Sequence, residues 1–254
     1  MDARTFEWIT WGWVALAVVT HIALHFVVAP FGRHSSTKWG PGINNKAGWM
    51  IMELPSLAIM VYFLLTGSRS LQCCAWILFA VWIVHYTNRT FIYPLRIRPT
   101  PKRMPLFIVG NAIFFNLMNA GLNGYYLAEL APVGSYGTGW LGSPKFALGM
   151  ALFLSGLYLN WRSDGILIRL RAKGETGYRI PRGFLFDRIT APNLLGEIVE
   201  WTGFAVMAWN LPAFSFMLWT LANLVPRALD HHRWYQRTFT DYPKERKAVF
   251  PGVL

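Results

Sequence analysis

Toward the end of its last apolar stretch the chain turns polar along one line. Arg227, His231 and Tyr235 are spaced four residues apart, which stacks their side chains on one face of an α-helix. Two other stretches repeat the pattern: Asn160, Asp164 and Arg171 follow at intervals of four and seven, and Asn193 and Glu197 are again four apart. A charged group at bilayer depth costs roughly 2.5–3.5 kcal/mol on insertion scales, so such residues turn toward a bundle interior or a wet cavity. Three ladders on three apolar helices predict one shared polar chamber. Arg171, and Arg179 next to Tyr178 in the following loop, offer forked donors that match phosphate oxygens, so the chamber suits a soluble anionic ligand.

A second set of reactive types lies earlier. In Trp49-Met-Ile-Met-Glu53-Leu-Pro55-Ser56 a lone carboxyl sits inside an apolar helix, where it can stay neutral and donate a hydrogen bond. The next stretch closes on His85-Tyr86-Thr-Asn88-Arg89 and then Tyr93-Pro94. A phenol is an uncharged proton donor that tolerates an apolar site, and Arg89 follows about one turn later. Tyr93 reads as an interface aromatic, and Asn111, Asn116, Asn119 and Asn123 read mostly as hydrogen-bonding glue between helices. No Gly-x-Gly-x-x-Gly follows a strand and no phosphate-binding loop is present, so any dinucleotide is held by helices. His21 and His25 have helical metal spacing, yet the chain has six histidines in all and no zinc-type cysteine spacing. No metal site is expected.

The elements that position these residues read as membrane helices. Of 254 residues, 54% are apolar and 14% charged, with thirteen Trp, the composition of a chain whose rings sit at bilayer interfaces. A span needs about 20 apolar residues. Seven stretches qualify: Trp8–Pro30, Gly48–Gly67, Leu71–Pro94, Met104–Leu130, Phe146–Leu170, Asn193–Trp209 and Ala213–Gln236, with Gly or Pro at most boundaries. The expected fold is all-α, one seven-helix membrane domain over 1–254. Its catalytic donors fall in about 48–94 and the polar ladders in about 146–254. Cys73 and Cys74, adjacent in an apolar run, read as small core residues.

The loops test that division independently. Arg33, Lys38 and Lys46, then Arg96, Arg98, Lys102 and Arg103, then Arg169, Arg171, Lys173, Arg179, Arg182 and Arg188, then Arg237, Lys244, Arg246 and Lys247 fall on one side. The other side has Arg4, Arg69 and Lys145. Seventeen against three places the N-terminus outside and the C-terminus in the cytoplasm. The same distribution accounts for the net charge of +12 without a nucleic-acid partner, and nothing in the sequence calls for a protein partner.

From about Trp49 to the C-terminus the sequence resembles the steroid 5α-reductases (3-oxo-5α-steroid 4-dehydrogenases). The resemblance rests on Glu53-Leu-Pro-Ser56, His85-Tyr86 with Arg89-Thr-Phe, Gly124-Tyr-Tyr-Leu127, Asn160 with Ser163-Asp164, and Tyr178-Arg-Ile-Pro181. It continues with Asn193-Leu-Leu-Gly-Glu197, Glu200-Trp201, Arg227-Ala, His231-His232-Arg-Trp-Tyr235, Asp241-Tyr-Pro-Lys244 and Arg246-Lys-Ala. It implies a multi-pass membrane enzyme in contact with membrane lipid, of the endoplasmic reticulum in a eukaryote or the cytoplasmic membrane in a bacterium. The implied activity is NADPH-dependent reduction of the 4,5 double bond of a 3-oxo-Δ4 steroid. Glu53 and Tyr86 match the pair that holds the C3 carbonyl oxygen. Arg89, Asn160, Asp164, Arg171, Tyr178, Arg179, Asn193, Glu197, Arg227, His231 and Tyr235 match cofactor positions. Trp49, Phe115 and Trp219 are candidates for the steroid pocket.

Those residue types suit the chemistry. Addition to the β-carbon of an enone drives charge onto the carbonyl oxygen, and donors aimed there stabilise the transition state more than the ground state. The chain departs from the family pattern at Phe184, where a second Gly is usual, and at Met52, where Gln often precedes the Glu. The loop before Met104 is about two residues longer, which leaves Arg98, Lys102 and Arg103 as alternatives for one cofactor contact. Three competing readings differ in ligand. They are a membrane NADPH reductase of a polyprenyl, enoyl-CoA or sterol-ring double bond, an isoprenylcysteine carboxyl methyltransferase, and a non-enzymatic sterol-binding protein. The methyltransferase reading lacks the Arg-His-Pro pairing of that family.

Overall fold

The computed structural model describes residues 1–27, 39–68, 74–98, 103–170 and 177–254. Among them the chain is mostly helical. In order come α1 (Ala3–Ala23), β1 (Gly42–Asn44), α2 (Asn45–Thr66) and α3 (Ala75–Thr87), which runs through a π-helical turn (Asn88–Ile92) into α4 (Tyr93–Arg96). Then follow β2 (Arg103–Pro105), α5 (Leu106–Tyr125) with a second π turn (Tyr126–Leu130), the short α6 (Thr138–Leu141), α7 (Pro144–Arg169), α8 (Pro192–Ala208) and α9 (Leu211–Thr238). Among the described residues a helix thus occupies at least part of each of the seven apolar stretches. Three helices among the described residues, α1, α2 and Leu106–Leu130, are long and apolar enough by themselves to cross a membrane. Cys74 is buried, as expected; Cys73, Arg33, Lys38, Arg69, Lys102, Arg171 and Lys173 lie outside the described residues.

Several boundaries differ from expectation: α1 ends at Ala23, short of Pro30, and α2 and α9 each start earlier than expected. Two further differences have a clear local cause. α1 begins five residues before Trp8 because the Asp2 carboxylate accepts from the Thr5 backbone N–H (2.9 Å) and hydroxyl (2.6 Å), supplying the partner that a helix start lacks. Pro94 does not end the third helix, which continues to Arg96. The π turn before it is wider than an α turn, and a residue with no N–H fits into the register change that follows.

The chain divides into two compact units, one from Met1–Thr10 and Pro30–Ala147, the other from Trp11–Ala29 and Leu148–Leu254. In the first, α2 packs along α5, and β1 pairs antiparallel with β2 through Gly42↔Pro105, Ile43↔Met104 and Asn44↔Arg103. Asn44 then caps α2, its side chain accepting from Lys46 N (2.9 Å) and Ala47 N (3.3 Å). Trp49, Met52, Met104 and Val109 form a buried cluster at this end.

In the second unit α7 and α8 approach through glycine. A Cβ on Gly156 would lie 2.2 Å from the Glu200 nitrogen, and one on Gly196 would lie 2.4 Å from the Asn160 nitrogen. Gly149 and Gly203 repeat the arrangement seven residues away on each helix. Small residues let two backbones touch where apolar side chains alone give no net drive to associate. The contact brings Asn160 of α7 directly against α8. On its other side α8 packs against α9 through Leu194, Leu195, Ile198, Leu224 and Ala228, with Ile189, Ala248 and Val249 closing the cluster. Trp209 ends α8 in the left-handed region (φ 47°), Asn210 caps α9 by accepting from Ala213 N (2.9 Å), and Pro212 lies in the first turn. The tail pairs with the segment before α8: Lys247 N donates to Arg188 O (3.0 Å), and Thr190 N donates to Lys247 O (2.8 Å).

Candidate active site

Within the first unit the acid and the phenol singled out by type are joined by one side chain. Asn116 of α5, 3% exposed, donates from Nδ2 to Met52 O (2.7 Å) and to Glu53 Oε2 (3.2 Å). Its Oδ1 accepts from the Tyr86 hydroxyl (3.4 Å). Tyr86 is buried and its ring stacks on Trp82 (5.4 Å, 22°), whose indole N–H donates to Ser56 Oγ (3.2 Å). The phenol is therefore held on its face and at its tip. Met52, where the family resemblance leads one to expect Gln, points a buried thioether into the Trp49 cluster and offers only its backbone carbonyl.

Asn116 was not distinguishable from sequence. It stands among four asparagines in one apolar stretch, and Asn119 and Asn123 donate back to backbone carbonyls four residues earlier on their own helix, a bond within α5 and not the interhelical one expected of glue. Its only signal is that it does not make that bond.

Arg89, expected among the cofactor ligands, places its guanidinium over the rings of Trp49 (4.8 Å) and Tyr93 (5.0 Å). Trp49 and Tyr93 also meet edge to face (5.2 Å), so Tyr93 packs here with Trp49 and Arg89. Phe115 is half-buried beside Asn116. Arg89 lies in the π turn, a widening of the helix that often marks functional segments.

In the second unit two of the three ladders meet. Asn160 Nδ2 donates to Asn193 O (3.0 Å) and to Glu197 Oε1 (3.2 Å), and Asn193 Nδ2 donates to Asp164 Oδ1 (3.2 Å). Asn160 and Asp164 are buried, so four polar groups share one hydrogen-bonded cluster between α7 and α8. Beside it Asn160 Oδ1 and Ser163 Oγ are buried with no hydrogen-bond partner among the described residues. Buried polar atoms are normally satisfied, so this pair is chemically suited to a polar ligand.

The third ladder is anchored to the loop before α8. The Tyr235 hydroxyl faces the Arg179 carbonyl (3.5 Å), and the Tyr178 ring meets Trp234 edge to face (5.0 Å). Tyr235 itself stacks on Phe239 and Tyr242. Arg246, 2% exposed, donates to Pro181 O (3.0 Å) and fixes the same loop from the tail. Arg227 and His231 are half-buried on α9, and Arg179 is exposed. Trp219, a candidate for the steroid pocket, is 5% exposed and packs on Trp13 at 4.5 Å, donating to its carbonyl (3.0 Å). Sequence reading missed Thr190, whose hydroxyl lies 2.6 Å from both His232 Nδ1 and the Tyr242 hydroxyl and so ties α9 to the tail.

Comparison with known proteins agrees with the motifs that run through both units. A family model described as 3-oxo-5-alpha-steroid 4-dehydrogenase matches residues 102–254. Steroid 5-alpha-reductase DET2 of Solanum lycopersicum is 40% identical over 254 residues, covering 98% of this chain and 97% of the relative. The bovine protein 3-oxo-5-alpha-steroid 4-dehydrogenase 1 is 40% identical over 244 residues (94% and 93%), and the human protein of that name is 41% identical over 228 (88% and 86%). Similarity of this level extends over Glu53, Tyr86 and the ladders alike, and this chain belongs to the 3-oxo-5-alpha-steroid 4-dehydrogenase family of oxidoreductases.

Proposed function

We propose that the protein reduces the 4,5 double bond of a 3-oxo-Δ4 steroid with NADPH, giving the 5α-reduced ketone, as an integral membrane enzyme. The observation that carries this reading is the single hydrogen-bonded set Glu53–Asn116–Tyr86, an acid and a phenol held together on apolar helices. Glu53 and Tyr86 donate hydrogen bonds to the C3 carbonyl oxygen of the steroid. As that oxygen gains charge the two bonds strengthen, which lowers the barrier without tightening the ground state. Tyr86 or water then protonates the α-carbon.

Asn160, Asp164, Asn193 and Glu197, with Arg171, Tyr178, Arg179, Arg227, His231 and Tyr235, hold the cofactor. Bound NADPH supplies the hydride. The guanidinium groups suit its phosphates, and the unpartnered Asn160 Oδ1 and Ser163 Oγ suit its polar groups. Trp49 and Phe115 contribute apolar surface to the steroid pocket. The seven apolar helices form one membrane domain with the N-terminus outside and the C-terminus in the cytoplasm, which the seventeen-to-three distribution of basic residues supports.

The test is NADPH oxidation by purified protein in detergent or nanodiscs with a panel of 3-oxo-4-ene steroids. Turnover is expected with at least one of them. It is expected to fall by about 10²–10³-fold in Tyr86→Phe and in Glu53→Ala while NADPH still binds. Full turnover in both variants refutes the reading.

A further inference from the structure

Asn116 does more than fill space between α2 and α5, and the orientation of its amide can be deduced. The carbonyl of Met52 can only accept a hydrogen bond, so the end of the amide 2.7 Å from it is the nitrogen. Both hydrogens of that nitrogen are then assigned, one to Met52 O and one to Glu53 Oε2 at 3.2 Å. The opposite end is the oxygen, and it faces the Tyr86 hydroxyl at 3.4 Å.

We infer that Asn116 is a positioning residue that selects the proton-bearing oxygen of Glu53 and aligns the phenol of Tyr86. A neutral carboxyl with its proton on Oε2 would offer the Asn116 amide only the weaker hydroxyl acceptor, whereas a proton on Oε1 leaves Oε2 as the carbonyl oxygen, the better acceptor. The proton of the neutral acid therefore resides on Oε1, and Glu53 presents one defined donor instead of two interconverting ones. On the other side Asn116 Oδ1 draws the single hydroxyl proton of Tyr86 into the same region. That bond is long for an O–H donor and correspondingly weak. A steroid carbonyl oxygen accumulating charge is the better acceptor, so the phenol is aligned beforehand yet gives up its partner readily. No bond to substrate is assigned to Asn116 itself.

This inference rests on the proposed roles of Glu53 and Tyr86, and the experiment separates the two. Steady-state kinetics with a 3-oxo-4-ene steroid and NADPH are measured for Asn116→Leu, which keeps similar bulk and removes every hydrogen-bonding group, for Tyr86→Phe, and for the double variant. NADPH affinity is followed by quenching of tryptophan fluorescence. Asn116→Leu is expected to lower kcat by ~10–100-fold while steroid KM and NADPH affinity stay within about twofold. In the Tyr86→Phe background the same change is expected to cost less than about threefold, because much of its effect passes through that phenol.

An unchanged kcat in Asn116→Leu, or losses that multiply independently in the double variant, overturns the inference while leaving the reading of Glu53 and Tyr86 in place. Full turnover in Tyr86→Phe and Glu53→Ala removes the reading itself. Asn116→Asp guards against a folding failure of the leucine variant. It keeps the shape but sets an acceptor against Met52 O and Glu53, so its kcat is expected to fall at least as far. Wild-type kcat in Asn116→Asp contradicts the inference.

Discussion

Replacing Gly196 by alanine tests the link between helix packing and the polar cluster proposed to hold the cofactor. The added methyl carbon would lie 2.4 Å from the Asn160 nitrogen and 2.8 Å from the Gly156 oxygen, both backbone atoms with no rotamer to escape into. Ordinary contact begins near 3.4 Å, so α7 and α8 must separate locally by roughly 1 Å. The bonds from Asn160 Nδ2 to Asn193 O and Glu197 Oε1, now 3.0 and 3.2 Å, would stretch past 3.5 Å and be lost. Overpacking of this kind costs about 1–3 kcal/mol, and each hydrogen bond about 0.5–1.5 kcal/mol, so the whole effect is about 2–6 kcal/mol. At about 2–4 °C per kcal/mol for a chain of this size, thermal unfolding followed by intrinsic tryptophan fluorescence should drop by several degrees or more. Gly110→Ala is the control, since nothing lies within 4 Å of a Cβ at that exposed helical site. NADPH affinity should weaken in Gly196→Ala and not in Gly110→Ala. Equal melting temperatures for the two variants would refute the close-approach account of α7 and α8.

Other perturbations test the proposed cofactor contacts and the helix caps. Arg171→Ala should weaken NADPH binding by about 10–100-fold, the loss of one charge-assisted phosphate contact, as read by fluorescence titration. Asn44→Ala removes the acceptor for two backbone N–H groups at the start of α2 and should lower stability by about 0.5–2 kcal/mol in thermal unfolding, with little effect on NADPH affinity.

Much of this arrangement was legible in residue spacing, because an α-helix turns a four-residue interval into a shared face. Asn160 with Asp164, and Asn193 with Glu197, fall on shared helix faces by spacing alone, and the two faces do meet in one hydrogen-bonded cluster. Pro212 marked the α8–α9 break correctly, since a proline suits the first turn that Asn210 caps. Pro94 carried the same signal but misled, because a π turn had already shifted the register around it. What spacing cannot give is the partner helix. Gly149, Gly156, Gly196 and Gly203 repeat at seven residues on two helices, but their meaning lies in which backbone each one faces. Asn116 is a similar case: its type and burial resemble those of Asn119 and Asn123, and only the placement of α2 and α3 around it connects it to Glu53 and Tyr86. The pairing of Arg188–Ala191 with Lys247 and Ala248 is too short and irregular to leave a periodic trace.

The most direct measurement is product analysis from purified protein given NADPH and a 3-oxo-4-ene steroid such as testosterone or progesterone. Mass spectrometry should find a product two hydrogens heavier, and NMR should assign the new hydrogen at C5 to the α face. Glu53→Ala should form almost none of it while still binding NADPH. Recovery of unchanged steroid from the wild-type protein across the whole panel, or equal product from Glu53→Ala, would contradict the assignment.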